Sequence, residues 1–235
     1  KYSDGSSTLD EIAAKARQLG YEWVVVCDHS QSLKVAGGLD LAELQKKQAA
    51  IKAFNDRSRD VKLLCGAEVE IAVDGRLDYP DEVLASLDVV VAAVHTGFRQ
   101  SKEVQTQRLL KAINNPYVHA IAHPTGRLLG EREAYALDLE AVIAAAAQTG
   151  TFLEINAYYR RLDLNDLHCR AAAERGVRFV VGSDAHMLEQ MEFLELGVGV
   201  ARRGWLTREQ VINTLNYSEL MAVLSRKKEL LARYQ

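Results

Sequence analysis

What the sequence lacks narrows its class first. No stretch approaches the roughly 18 to 20 consecutive apolar residues that span a bilayer, and nothing in it has the composition of a secretory signal. Cysteine is scarce: there are three, with no C-x-x-C spacing, which excludes a zinc ribbon or a dithiol redox motif. Cys27 and Cys65 adjoin apolar runs and Cys169 lies in a helical pattern, so reduced, buried thiols in a cytoplasmic protein are expected. No Ser/Gly/Pro-rich linker, low-complexity tract or short repeat interrupts the chain. Residues 1–235 are therefore read as one domain, long enough to bury a sizeable core. An excess of positive charge is missing too. The net charge of −3 argues against the broad basic footprint of a duplex-DNA binder, while leaving room for an enzyme that admits one strand end. Basic clusters at Arg160–Arg161, Arg202–Arg203 and Arg226–Lys228 read mainly as solvated surface.

What is present is an alternation of short apolar runs with amphipathic segments, the signature of an α/β fold with a mainly parallel sheet. Strands are expected at Trp23–Val26, Lys62–Cys65, Val89–Val94, Ala120–Ala122, Phe152–Ile155 and Phe179–Val181, several of them β-branched and apolar on both faces. Thr8 with Glu11 forms a capping box ahead of a helix that closes at Gly20. Further helices are expected at Leu41–Phe54, Lys102–Ile113, Leu139–Gln148, Asn165–Arg175, Arg208–Leu215 and Glu219–Tyr234. The opening Lys1-Tyr2-Ser3-Asp4-Gly5 reads as a turn with no strand before it. A closed βα barrel needs a strand there, so the chain is read as a segment of a longer one.

The informative feature is where the potential ligands fall. Each expected strand runs into a residue able to bind metal: Asp28-His29, Glu68, His95, His123, Glu154 with Asn156, and Ser183-Asp184-Ala185-His186. Parallel barrel strands bring their C-terminal ends to one face, which carries the active site in such folds. Four of the six histidines thereby converge on one rim with several carboxylates. One such histidine would ordinarily be a hydrogen-bonded core or loop residue; four at the same topological position point to a multi-metal site. His119, before its strand, and His168, mid-helix, fall outside the pattern. Imidazole and carboxylate donors suit zinc, manganese or iron, and clustered ions suit phosphoryl transfer. Glu68 is placed to bridge two ions, and Arg127, after His123-Pro124-Thr125-Gly126, is the preferred phosphate clamp, with a salt bridge to Glu131 or Glu133 as its ordinary alternative.

The segments Asp28-His29-Ser30, Gly66-Ala67-Glu68-Val69-Glu70, Val94-His95-Thr96-Gly97, Ala122-His123-Pro124-Thr125-Gly126 and Ser183-Asp184-Ala185-His186 resemble the successive motifs of the polymerase and histidinol phosphatase (PHP) superfamily. Longer stretches, residues 29–39, 77–81 and 199–206, resemble the C-terminal PHP domain of bacterial family X DNA polymerases. The resemblance implies a distorted seven-stranded (β/α)7 barrel whose first strand, carrying a His-x-His pair, would precede Tyr2-Ser3-Asp4-Gly5 and is missing from this chain. It implies two or three divalent ions, Mn2+ or Zn2+. Glu68 would bridge two of them, with His95 and His123 on one and Asp184 on the other; Asp4, His29 and His186 would hold the third. The catalytic set would be Glu68, His123, Asp184 and Arg127.

The implied activity is manganese-dependent 3′–5′ exonuclease or related 3′-end processing in DNA repair. The implied partners are single-stranded or gapped DNA 3′ ends and an N-terminal polymerase domain of the same protein, in the nucleoid region of the cytoplasm and not at a membrane. The ion at Asp184 would need the His-x-His pair, which assigns the activity to the longer protein. Alternatives are a small-molecule phosphatase of the histidinol-phosphate type and a non-catalytic module that positions the polymerase. An amidohydrolase-like barrel is disfavoured, because no expected strand ends in Lys.

Overall fold

The computed structural model of the chain describes the backbone of residues 2–232 and side chains through Lys227. The apolar runs form six parallel strands: β1 (Trp23–His29), β2 (Lys62–Glu70), β3 (Val89–Ala93), β4 (Ala120–Ile121), β5 (Phe152–Asn156) and β6 (Phe179–Gly182). They pair in chain order, β1-β2-β3-β4-β5-β6. Parallel neighbours cannot be joined by tight turns, and the crossovers carry α2 (Leu41–Arg57), α3 (Asp81–Leu84), α4 (Lys102–Ile113), α5 (Leu139–Thr149) and α6 (Asp166–Glu174); α1 (Leu9–Gln18) precedes β1, and α7 (Leu194–Arg203) and α8 (Tyr217–Ala232) follow β6. The capping box at Thr8 and Glu11 starts α1, and Asp40 with Glu43 starts α2 in the same way.

Alternation along the strands separates two cores. One face, including Leu63, Cys65, Val69, Val90, Leu153 and Phe179, packs beneath the crossover helices. The other, including Trp23, Leu64, Val89, Ala120 and Phe152, packs against Leu220 and Leu224 of α8. These residues lie at or near the strand starts, so α8 closes the N-terminal end of the sheet and leaves the C-terminal end open. Lys227 fastens the helix there: its buried Nζ donates to Ile113 O at 3.1 Å, to Thr151 Oγ1 at 2.7 Å and to Val118 O. The sheet curls until β1 and β6 line a common cavity of about 300 Å³, with Trp23 and Val25 facing Val180 and Gly182 across it. Close approach inside the curl explains two glycines. A Cβ at Gly66 would lie 2.6 Å from Cys27 Sγ, and one at Gly182 would lie 2.2 Å from Glu154 Oε1.

Six strands, not seven, are present among the described residues. The expected helix over Arg208–Leu215 is instead two single 3-10 turns, Arg208–Gln210 and Ile212–Thr214. The sheet edge overrides the helical pattern: Val211 bridges Phe179, and the Asn213 amide bonds both the N–H and the C=O of Val181, at 2.8 and 2.9 Å. The expected last helix begins two residues early, and its end at Tyr234 lies outside the described residues. Cys65 and Cys169 are buried as expected, whereas Cys27 faces the cavity; all three are free thiols. No described helix is long and apolar enough to cross a membrane.

Candidate metal centre

The strand register sets the potential ligands level with one another. His29 pairs with Glu68 across β1 and β2, and Asn156 pairs with Gly182 across β5 and β6. His95, His123, Asp184 and His186 follow the ends of β3, β4 and β6. Two of these sit where the backbone turns sharply. His123 (φ 28°) and Asp184 (φ 52°) occupy the left-handed region, which non-glycine residues adopt at an energetic cost.

Glu68 stands at the centre. Its Oε1 lies 2.9 Å from His123 Nε2 and 3.2 Å from His95 Nε2, and its Oε2 lies 3.6 Å from His29 Nδ1. The rings of His29 and His95, and of His95 and His123, meet edge-on with centroids 5.2 Å apart in both cases. Burial alone would raise the Glu68 carboxyl; the hydrogen bonds with His123 and His95 outweigh it and hold the group well below the usual carboxylate range. On the outer side, His29 Nε2 is 3.7 Å and His186 Nε2 3.2 Å from Asp4 Oδ2. Ligand atoms of His29, Glu68 and His95 all fall within 4.8 Å of one another, and so do those of Asp4, His29 and His186. Among the described residues, His29 Nδ1 is buried with no hydrogen-bond partner. A buried nitrogen left over beside carboxylates and imidazoles, at the junction of two such groups, fits cations better than it fits a protein-only network.

Asp184 stands apart from both groups. Its Oδ2 accepts from Asn156 Nδ2 at 3.1 Å and lies 3.4 Å from Arg161 Nε. Arg127 does not reach the cluster; its guanidinium donates to the backbone carbonyls of Arg161, at 2.9 Å, and of Leu162, and Glu131 pairs with Arg160 instead. The arginine that faces the site is Arg161, whose Nη1 is buried without a hydrogen-bond partner. His119 accepts a hydrogen bond from Val90 N–H at 3.0 Å, and neither it nor His168 belongs to the ligand groups. Asp28, next to His29, pairs with buried Lys47 and not with the cluster.

Two buried carboxylates support the ligands. Glu70 Oε2 is 2.8 Å from His95 Nδ1 and accepts from His95 N–H at 3.0 Å, which leaves His95 Nε2 aimed at Glu68. Glu70 Oε1 accepts from Thr96 Oγ1 at 2.8 Å and from the buried guanidinium of Arg108 at 3.3 Å. Contacts from the far side of a histidine fix its orientation and raise its basicity. Burial pulls His95 down, but Glu68 and Glu70 together lift it to about 9. Glu154 accepts from His123 N–H at 2.6 Å, and burial, then the charges of Asp184 and Glu68, push its carboxyl up to about 8. Period-two spacing places Glu70 on the Glu68 face, a signal legible in the sequence but unused; Arg161 appeared there only as part of a basic pair.

The chain matches the PHP domain over residues 1–195. It is 40% identical over 225 residues to the DNA polymerase/3'-5' exonuclease PolX of Bacillus subtilis (strain 168), covering 96% of this chain and 40% of that protein. It thus spans well under half the length of that relative. A probable phosphatase of Thermoanaerobacter sp. (strain X514) is 31% identical over 232 residues, with 94% of this chain and 89% of that protein covered. The solved histidinol phosphate phosphatase of Lactococcus lactis, complexed with zinc, L-histidinol and phosphate, superposes with a TM-score of 0.58 at 13% identity, over 87% of this chain and 90% of that one. A curled parallel sheet with imidazoles and carboxylates gathered at its C-terminal rim is thus an arrangement this chain has by descent: it belongs to the PHP domain family.

Proposed function

We propose that residues 1–235 form one metal-dependent phosphoesterase domain of a longer DNA polymerase, and that it hydrolyses phosphodiesters at DNA 3′ ends. The observation that carries this reading is the ring of His29, His95 and His123 about a single ionised carboxylate, Glu68. Glu68, His95 and His123 would hold one ion, His29, Asp4 and His186 a second, and Asp184 would contribute to a third with ligands from a seventh strand between β1 and β6. Divalent ions bound there, manganese or zinc, supply Lewis-acid activation of a water nucleophile and neutralise charge on the phosphoryl group.

The chain's own residues do the rest. Glu70 and Glu154 fix the presentation of His95 and His123. Arg161, whose guanidinium lies beside Asp184, would supply a charge-assisted hydrogen bond to the phosphate. Arg127 acts one step back, by holding the carbonyls of the turn that carries Arg161. The 40% identity to a relative named as a polymerase and exonuclease favours a DNA substrate. The likeness to proteins named as phosphatases keeps a small phosphate monoester as the second reading.

The test is turnover by the full-length protein with manganese, on a 3′-recessed oligonucleotide and on histidinol phosphate. Loss of 3′ ends that disappears in His123→Ala supports the DNA reading. Preference for histidinol phosphate replaces it with the second, and undiminished nuclease activity in His123→Ala removes the site assignment.

A further inference from the structure

Past the C-terminal ends of β5 and β6, three aromatic rings gather. Tyr158 and Tyr159 have centroids 4.8 Å apart, Tyr158 and Phe193 6.2 Å, and Tyr159 and Phe193 5.8 Å. Tyr158 and Phe193 are half-buried, whereas Tyr159 is 54% exposed. Packing accounts for the first two. It leaves unexplained a large ring that is braced on two sides by other rings and still gives more than half its surface to water.

The turn carrying Tyr158 and Tyr159 is tied to the site at both ends. Tyr158 N–H donates to Asn156 Oδ1 at 3.0 Å, and the Asn156 amide donates to Asp184 at 3.1 Å. Arg161 N–H donates to Tyr158 O, while its guanidinium lies 3.4 Å from Asp184. A four-residue turn therefore carries an exposed ring at Tyr159 and, two residues on, a guanidinium beside Asp184. A bare phosphate monoester needs only the guanidinium. A nucleotide has both a phosphate and a flat π-face, and single strands are held in just this manner, by basic groups along the backbone with aromatic rings under the bases.

We propose that Tyr159, braced by Tyr158 and Phe193, is a stacking platform for a nucleobase of a single-stranded 3′ end whose phosphate lies at Arg161. The proposal rests on the phosphoesterase reading for the position of that phosphate. Stacking is indifferent to base identity, so the platform confers selectivity for nucleic acid over other phosphate esters without sequence preference.

The experiment reads binding separately from hydrolysis. Two fluorescein-labelled strands of equal length and charge are compared by anisotropy on the manganese-loaded chain: an oligothymidylate and an abasic tetrahydrofuran strand, both phosphorothioate-linked to resist cleavage. Wild type is expected to prefer the oligothymidylate by at least about fivefold, the lower bound for one base stacked on one ring. Tyr159→Ala should abolish that preference and leave abasic binding unchanged, and Tyr159→Phe should retain it. Equal binding of the two strands by wild type, no measurable binding of oligothymidylate, or an equal loss on both strands in Tyr159→Ala overturns the platform. Failure of the phosphoesterase reading appears elsewhere, as absent turnover on cleavable substrates with the base preference intact.

Discussion

Replacing Glu70 by Gln separates two functions of one carboxylate. Glu70 is 5% exposed and Arg108 is 1% exposed, so their contact is a buried ion pair. Removing one partner of such a pair costs about 3–5 kcal/mol, because the other charge stays buried. Here the loss should fall near the lower limit, at about 3 kcal/mol: a Gln oxygen can still accept a hydrogen bond, and Arg108 keeps the carbonyls of Thr96, at 2.8 Å, and of Ile71. For a domain of this size that corresponds to roughly 6–12 °C in Tm. The second function is the alignment of His95 toward Glu68. Groups that hold a ligating histidine from behind change metal affinity by about 10- to 100-fold when replaced.

The two losses can be told apart with the double variant Glu70→Gln/Arg108→Met. It exchanges the stranded guanidinium for an apolar side chain but frees the carbonyls of Ile71 and Thr96, so it should regain only part of the Tm, yet remain weak in metal binding. The assays are thermal unfolding in EDTA and zinc titration by calorimetry. A Glu70→Gln protein with wild-type zinc affinity, or a double variant that recovers affinity along with stability, would refute this reasoning.

Two further predictions concern the rim and the barrel interior. Arg161→Ala should lower turnover on a DNA 3′ end by about 100-fold, as for a group that stabilises developing phosphoryl charge, with the Tm little changed. Arg127→Ala should lower the Tm as well, because it frees the carbonyls of Arg161 and Leu162; paired kinetic and thermal measurements check the difference, and equal behaviour of the two variants would contradict it. Glu154 binds its proton up to about 8 in the folded protein, against an ordinary value of 4.5. Between those values the folded form holds the extra proton, so the contribution to stability is fully present below the lower one and is lost as pH rises through the upper. Urea unfolding in EDTA from about pH 5 to about pH 9 should show a decline on the order of a few kcal/mol from this group, and Glu154→Gln should flatten it.

The sequence was most legible where a local period met a topological rule. Once the six runs were read as parallel strands, His29, Glu68, His95, His123, Asp184 and His186 had to fall at one end, and they do. What escaped is what depends on long-range closure. Sequence position favours Arg127, just after His123, over Arg161; what reverses the order is a pair of carbonyls 34 and 35 residues away that claim Arg127. Glu70 declares its face by alternation, but its partner Arg108 lies 38 residues on, and nothing local joins them. The 208–215 segment has helical spacing, and only the neighbouring edge of β6 draws it out into two turns around Val211.

The inward positions of the strands run from apolar to polar or ionisable in the same direction, and this order accounts for the electrostatics of the site. Along β1 they read Trp23, Val25, Cys27 and His29; along β2, Leu64, Gly66 and Glu68; along β5, Phe152, Glu154 and Asn156. The lower half, plugged by Leu220 and Leu224, is apolar. Charge is therefore costly there unless paired. Each group meets that cost according to its neighbours. Glu68, among imidazoles, stays ionised; Glu154, near two other carboxylates and no cation, keeps its proton; Glu70 has Arg108. His29 Nδ1, buried between the two ligand groups, faces Glu68 Oε2 at 3.6 Å and makes no hydrogen bond among the described residues. A divalent cation would answer that nitrogen, the Glu68 charge and the neighbouring imidazoles at once.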